Sequence, residues 1–313
     1  MIDPKLRGKG IGGSEVAAIL GMDARRDAFA VYADKLGLLQ RAAPTGRMLW
    51  GKRIERVIAD AYSDETGRPH QWCDETRVSP ARSWQVYSPD AFVIDLSEGR
   101  LPMTVGGLDA KNVAWDQSAT WGEPGTDVVP DSIALQCQWY CSAAELPWWD
   151  VAALFGGNDL RIYRVNRDAE IEAVLLEETE RFWRDHVLAH VPPSPGSSTA
   201  TTEALKKMYP RNVEACRFAT PEEGEILARL KAAREASDAA DAEKEAAENA
   251  IKLAIGESEG LIHGPIKVTW KKTADTFGPA WEEIARDLGA TPAVIAAHTK
   301  MVRAGARRLH CKF

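Results

Sequence analysis

Residues 45–66 place apolar and polar positions at the spacing of an amphipathic helix, with Gly67 set to cap its end and Pro69 to stop it. Shorter helical patterns cover residues 14–20, after a glycine-rich turn, and residues 29–38. Residues 84–94 and 104–113 instead alternate and carry β-branched or aromatic side chains, with Ser97, Glu98 and Gly99 as turn signals between them, which predicts two adjacent strands. A helix follows over residues 131–144. The runs 148–155 and 160–165, joined by Gly156-Gly157-Asn158-Asp159, predict a hairpin, and a helix over about 168–190 closes the series.

The stretch Pro192-Pro193-Ser194-Pro195-Gly196-Ser197-Ser198-Thr199 can neither continue a helix nor supply a core, and it marks a boundary. The expected organisation is an α/β domain over residues 1–191, a linker over 192–219 and a smaller α+β region over 220–313. Thr220-Pro221-Glu222-Glu223 offers an N-cap, a first-turn proline and a capping-box glutamate, opening a helix that reaches about residue 255 and ends at Gly256. That helix is rich in Ala, Glu and Lys and poor in large apolar residues, so it is a solvated arm or one member of a helical pair. A strand over 266–271, a helix near 279–288 and a basic strand over 307–313 complete the expectation.

With 313 residues, 45% hydrophobic and 27% charged, the chain is long enough for one large domain with an appendage. No stretch approaches the roughly 18 consecutive apolar residues of a membrane span, and the N-terminus lacks the apolar core of a signal peptide, so a cytoplasmic protein with no membrane partner is expected. The five cysteines are dispersed, with no C-x-x-C pair, which suits a reducing compartment and favours neither a disulfide framework nor a zinc knuckle. Cys137 and Cys141 read as buried helix cysteines.

The formal charge of −7 is unevenly spread. Residues 1–200 carry 21 Lys and Arg against 29 Asp and Glu, whereas residues 261–313 carry 9 against 4. An acidic first region is compatible with carboxylates that hold metal ions, so net charge does not exclude a nucleic-acid partner. Arg303, Arg307, Arg308 and Lys312 could follow a phosphate backbone or protect a strand edge. The tryptophans, Trp139, Trp148 and Trp149 among them, are expected to pack in the core rather than stack on bases.

The chemistry concentrates in Ser88-Pro89-Asp90 and, 18 residues on, Asp109-Ala110-Lys111. Period-two alternation puts Asp109 and Lys111 on one face of a strand. Asp90 reaches the same spot if its strand pairs with theirs, and Glu55 on the preceding helix can add a third carboxylate. Two or three carboxylates beside an ammonium suit a hard divalent cation and hydrolysis of a phosphodiester. Ser14, after Gly12-Gly13 at a helix start, is either an anion contact or a plain helix-capping serine.

The ordered set Gly12-Gly13-Ser14-Glu15, Trp50-Gly51-Lys52-Arg53-Ile54-Glu55, Ser88-Pro89-Asp90, Leu108-Asp109-Ala110-Lys111 and Gln136-Cys137-Gln138 resembles the PD-(D/E)xK nuclease superfamily. Within it, the set resembles the YqaJ-type phage recombinases typified by lambda exonuclease, over about residues 7–190. The resemblance implies a restriction-endonuclease-like core, a central mixed sheet flanked by helices. It implies Glu55, Asp90 and Asp109 as metal-binding carboxylates, the Ala110 carbonyl as a further ligand and Lys111 as the catalytic lysine. Gln136 or Gln138 would contact nucleophile or substrate, and the choice stays open: Gln136 with Tyr140 fits one family pattern, Gln138 another. Asp109 stands where glutamate is commoner.

By the same resemblance Arg7 and Ser14 bind the 5′-phosphate of a DNA end. The implied activity is a Mg²⁺-dependent 5′→3′ exonuclease on double-stranded DNA ends that leaves 3′ single strands for recombination, with Mn²⁺ as an alternative ion. A ring-shaped homotrimer and a single-strand annealing partner are implied as well. Two other readings remain: a DNA-end-binding or assembly protein without turnover, and an endonuclease of the same superfamily.

Overall fold

In the computed structural model the described residues are 6, 8–39, 44–73, 75–97, 101–212, 214–270 and 288–294. The chain divides into two compact units, Met1–Asn212 and Val213–Phe313. Among the described residues no helix is long and apolar enough to cross a membrane.

The first unit is built on a five-stranded mixed sheet. Its strands are β2 (His70–Trp72), β5 (Ala91–Asp95), β6 (Met103–Val113), β7 (Trp148–Phe155) and β8 (Asp159–Asn166), in that spatial order. The pair β6–β7 is parallel and the others are antiparallel. A small second sheet holds β1 (Ile11–Gly12), β4 (Gln85–Tyr87) and β3 (Arg77–Val78), with β1 parallel to β4.

Helices cover both faces of the large sheet, as expected for the α/β class. On one side lies α3 (Gly46–Thr66), preceded by α1 (Gly13–Ile19) and α2 (Ala28–Lys35) in the chain. Its Ile58, Ala59 and Tyr62 pack against Leu108, Ala110 and Ala152. Thr45 caps its start, and Gly67 closes it with φ 67°, the left-handed conformation that glycine adopts freely. The other face meets α4 (Asp131–Ala144) and α5 (Ala169–Phe182) through the larger core, which contains Trp139, Trp149, Val151, Phe155 and Tyr163. Trp139 and Trp149 are fully buried, as are Cys137 and Cys141. The glycines Gly106 and Gly107 let Trp148 and Trp149 lie flat on β6, since an added Cβ would come within 2.3 Å and 2.2 Å of their rings.

Three differences from the sequence expectation have local causes. The predicted strand 84–94 is two strands in different sheets, because Ser88-Pro89-Asp90 interrupts the ladder where Pro89 has no N–H to give. The predicted helix 168–190 is α-helical to Phe182 and continues as π-type turns over Trp183–Leu188. The stretch expected as linker contains α6 (Thr199–Met208), whose Ala204, Leu205 and Met208 pack with Phe29 and Ala33 of α2. Asp27 fastens that contact. It caps α2 through the Ala30 N–H, and it also accepts hydrogen bonds from the Ser198 N–H (3.2 Å) and the Thr201 hydroxyl (2.5 Å).

The second unit contains α7 (Pro221–Ile255) and the hairpin of β9 (Gly260–His263) and β10 (Ile266–Thr269). The capping box forms as expected: the Thr220 N–H donates to Glu223 at 2.9 Å, and the Glu223 N–H donates to the Thr220 hydroxyl at 3.3 Å. Of the residues of α7 only Ile255 is buried. The expected helix near 279–288 falls mostly, and the strand over 307–313 entirely, outside the described residues, as do Arg303, Arg307, Arg308 and Lys312.

Candidate active site

The site follows from where β5 begins. Ala91 pairs with Leu108, and β5 extends from there alongside the first half of β6 only. Beyond Leu108, β6 is therefore uncovered on that edge, and the Ala110 N–H is left without a strand partner. Asp90, the residue just before β5, supplies the acceptor: its Oδ2 takes the Ala110 N–H at 2.9 Å. This places Asp90 beside Asp109 and Lys111 at the open edge.

Asp109 and Lys111 share a face of β6, as alternation predicts, and their side chains meet, Lys111 Nζ lying 2.5 Å from Asp109 Oδ2. Asp109 is almost wholly buried, and its Oδ2 has no hydrogen bond beyond that ionic contact. Glu55, on α3, lines the same cleft and pairs with Lys52 at 2.9 Å. The cleft, about 560 Å³, also receives Ser14, Thr76, Ser88, Asn112, Gln136 and Tyr140.

The electrostatics are strained in a consistent direction. Burial, then the charges of Asp109 and Glu55, push the Asp90 carboxyl up to about 7, with Lys111 acting in the opposite sense. Burial disfavours the Lys111 ammonium, but Asp109 and Asp90 outweigh it and hold the lysine charged well above its ordinary range. In the ion-free cleft Lys111 is thus held as the ammonium, facing Asp109.

Among the described residues no three acidic, histidine or cysteine side chains already converge to cage an ion. Asp109 and Glu55 are instead held by lysines of the chain itself. The donor set nonetheless fits a hard divalent cation, because carboxylate oxygens line the cleft and one of them, Oδ2 of Asp109, is buried with no hydrogen bond beyond its ionic contact with Lys111.

The two glutamines separate clearly. Gln136 lines the cleft and donates to the Tyr140 hydroxyl at 3.0 Å, which in turn donates to the Ser88 carbonyl at 3.2 Å. Gln138 is buried away from it. Its amide donates to the Asn166 carbonyl at 2.7 Å and accepts the Asp168 N–H at 2.9 Å, tying α4 to the β8–α5 junction. Gln138 is thus not brought to the acids, contrary to one of the two alternatives. Successive helix positions one turn apart face one way only if they are three or four residues apart, and these two are separated by two.

Ser14 is exposed at the cleft edge, within the first turn of α1. The neighbouring Gly13 permits α1 to approach α4, since a Cβ there would lie 2.6 Å from the Tyr140 ring. Arg7 lies outside the described residues. No role was expected for Lys52 or Asn112, which also line the cleft; Tyr140, expected only as the companion of Gln136, lines it too. Spacing carried a signal for Lys52, which stands three residues before Glu55.

A mixed α/β unit with an acid-and-lysine cleft at an uncovered strand edge is the class of domain these observations define. Residues 4–147 match the model of the YqaJ-like viral recombinase domain. The uncharacterized protein YqaJ of Bacillus subtilis (strain 168) is 23% identical over 296 residues, spanning 90% of this chain and 89% of that one. Among solved structures, the alkaline exonuclease LHK-Exo of Laribacter hongkongensis is similar at 18% identity, over 60% of this chain and 91% of that chain, with a TM-score of 0.46. The same enzyme in complex with dAMP gives 0.47 over 60% and 92%. A phage related exonuclease from Haemophilus somnus 129PT gives 0.42 at 11% identity, over 58% and 96%.

Proposed function

We propose that this chain is a metal-dependent deoxyribonuclease that degrades double-stranded DNA from its ends, 5′ to 3′, leaving 3′ single strands for recombination. The observation that carries the reading is the convergence of Asp90, Asp109 and Lys111 at the open edge of β6, in one cleft with Glu55 and Gln136. The match of residues 4–147 to the YqaJ-like viral recombinase domain supports it.

Asp90, Asp109 and Glu55, with the Ala110 carbonyl, would hold the divalent ion, Mg²⁺ or Mn²⁺. A bound ion supplies positive charge against the phosphorane-like transition state and makes water acidic enough to attack near neutral pH. The chain's own residues do the rest. Lys111, kept charged by its carboxylate neighbours, donates to the phosphate oxygen on which charge builds. Gln136, its amide nitrogen engaged by Tyr140, keeps its carbonyl oxygen as an acceptor that orients the attacking water. Ser14, together with Arg7, receives the terminal 5′-phosphate and so sets the polarity. Assembly into a ring and cooperation with a single-strand annealing protein belong to the same proposal.

The test compares linear and covalently closed circular duplexes incubated with Mg²⁺. Loss of the linear substrate alone, with mononucleotides released from the 5′-end label first, is the expected result. Cutting of the circle would make the chain an endonuclease, and binding without cutting of either would remove the catalytic reading.

A further inference from the structure

One buried ion pair lies directly behind the cleft. Glu15 follows Ser14 in α1 and points the other way, into the protein, where its carboxylate meets the Lys35 ammonium at 2.6 Å. Both side chains are 1% exposed. Arg26 adds a longer contact at 3.8 Å, and the Gly12 N–H donates to the same carboxylate at 2.8 Å. Taking two charges out of water costs several kcal/mol each, and a buried pair seldom stabilises a fold more than apolar packing would. Its presence here is better explained by what it aligns.

The geometry says what that is. β1 pairs in parallel with β4, Ile11 opposite Gln85 and Gly12 opposite Val86. Two residues past these partners the strands release Ser14 on one side and Ser88, followed by Pro89 and Asp90, on the other. The turn from β1 into α1 therefore decides where Ser14 stands relative to the carboxylates. Glu15 holds that turn at both ends, gripping Gly12 in the strand and Lys35 in the last turn of α2, where a cation also complements the helix dipole.

We propose that Glu15 and Lys35 are positioning residues for recognition of the DNA end: their ion pair fixes the seat of Ser14, and with it the fit of the terminal phosphate, without taking part in bond cleavage. The inference rests on the end-recognition role of Ser14 given above. It places a specificity element in a residue pair that never touches substrate.

The test uses the full chain with both charges removed at nearly constant volume, Glu15→Gln with Lys35→Met, beside Ser14→Ala. Thermal melting first establishes folding, and Glu15→Gln alone, which keeps an acceptor for Gly12, serves if the double variant does not fold. Rates are then measured with Mg²⁺ on 5′-phosphorylated and 5′-hydroxyl linear duplexes, and on the p-nitrophenyl ester of thymidine 5′-monophosphate, which has no DNA end to recognise. The expected result is an end preference lowered about tenfold through KM, no further loss when Ser14→Ala is added, and an unchanged rate on the small ester. Wild-type preference in the double variant, where Ser14→Ala has lost it, would overturn the positioning role alone. A wild-type protein that hydrolyses DNA without any end preference would overturn both this inference and the role of Ser14.

Discussion

Asp109 and Asp150 are buried on neighbouring strands one register step apart, Leu108 lying opposite Asp150 and Asp109 opposite Val151, yet their surroundings are opposites. Asp150 faces α3 and is fully served. Arg164 gives it two hydrogen bonds (2.7 and 2.8 Å), the Tyr62 hydroxyl a third (2.7 Å), and Arg68 stands at 3.4 Å. Burial, followed by that hydrogen bond and the Asp150 charge, pushes the Tyr62 phenol up to about 12, so it stays a donor at any physiological pH. Asp109 faces α4 with the Lys111 ammonium on its Oδ2 and the carboxyl of Asp90 nearby. A saturated carboxylate is structural. An under-served one keeps capacity for something that arrives from outside, and Asp109, unlike Asp150, lines the acid-and-lysine cleft.

The contrast is sharpest in catalysis. Lys111→Ala should lower turnover on linear DNA by about 10³-fold or more with DNA binding retained, and Asp109→Ala should match it while also losing Mg²⁺ binding. Gel-based degradation and calorimetric titration of the ion measure the two halves. Full activity in either variant would end the nuclease assignment. Asp150→Ala should do the reverse, costing about 3–5 kcal/mol in urea unfolding because Arg164 and Tyr62 lose their partner, with activity per folded molecule kept.

Asp90 gives a pH signature. Its carboxyl is pushed up to about 7 from the ordinary 3.8, so the folded, ion-free protein holds this proton more tightly than the unfolded chain. The associated stability is complete below about pH 4 and is lost as pH rises through 7. Asp90→Asn should therefore match the wild type near pH 4 and exceed it at pH 8 in EDTA, by a few kcal/mol at about 1.4 kcal/mol per unit. Adding Mg²⁺ should shrink the difference. Parallel stability curves for the two proteins across this range would contradict the strained cluster. The smallest effects separate the glutamines: Gln138→Ala should cost about 1–2 kcal/mol of stability with kcat intact, whereas Gln136→Ala should lower kcat and leave the unfolding midpoint nearly unchanged.

Much of this site is legible in the sequence alone. Strict alternation put Asp109 and Lys111 on one face, and helical spacing put Glu55 on a helix of the right length. The edge position was not legible, because it depends on Asp90 replacing a strand as hydrogen-bond partner of Ala110. The choice between Gln136 and Gln138 needed the partners at Asn166 and Asp168, about 30 residues away. Strands of two or three residues, β1 and β3 among them, carry too few side chains to show a period. The α6 helix was hidden by the prolines and serines before it, whose loop character was extended too far along the chain. Glu15 and Lys35 carry no joint signal, since nothing in 20 residues of separation announces a buried pair.

The double duty of Asp27 reaches beyond the helices it caps. A single carboxylate clasps two points 171 positions apart in the chain, so the first unit is buckled shut shortly before the polypeptide leaves it.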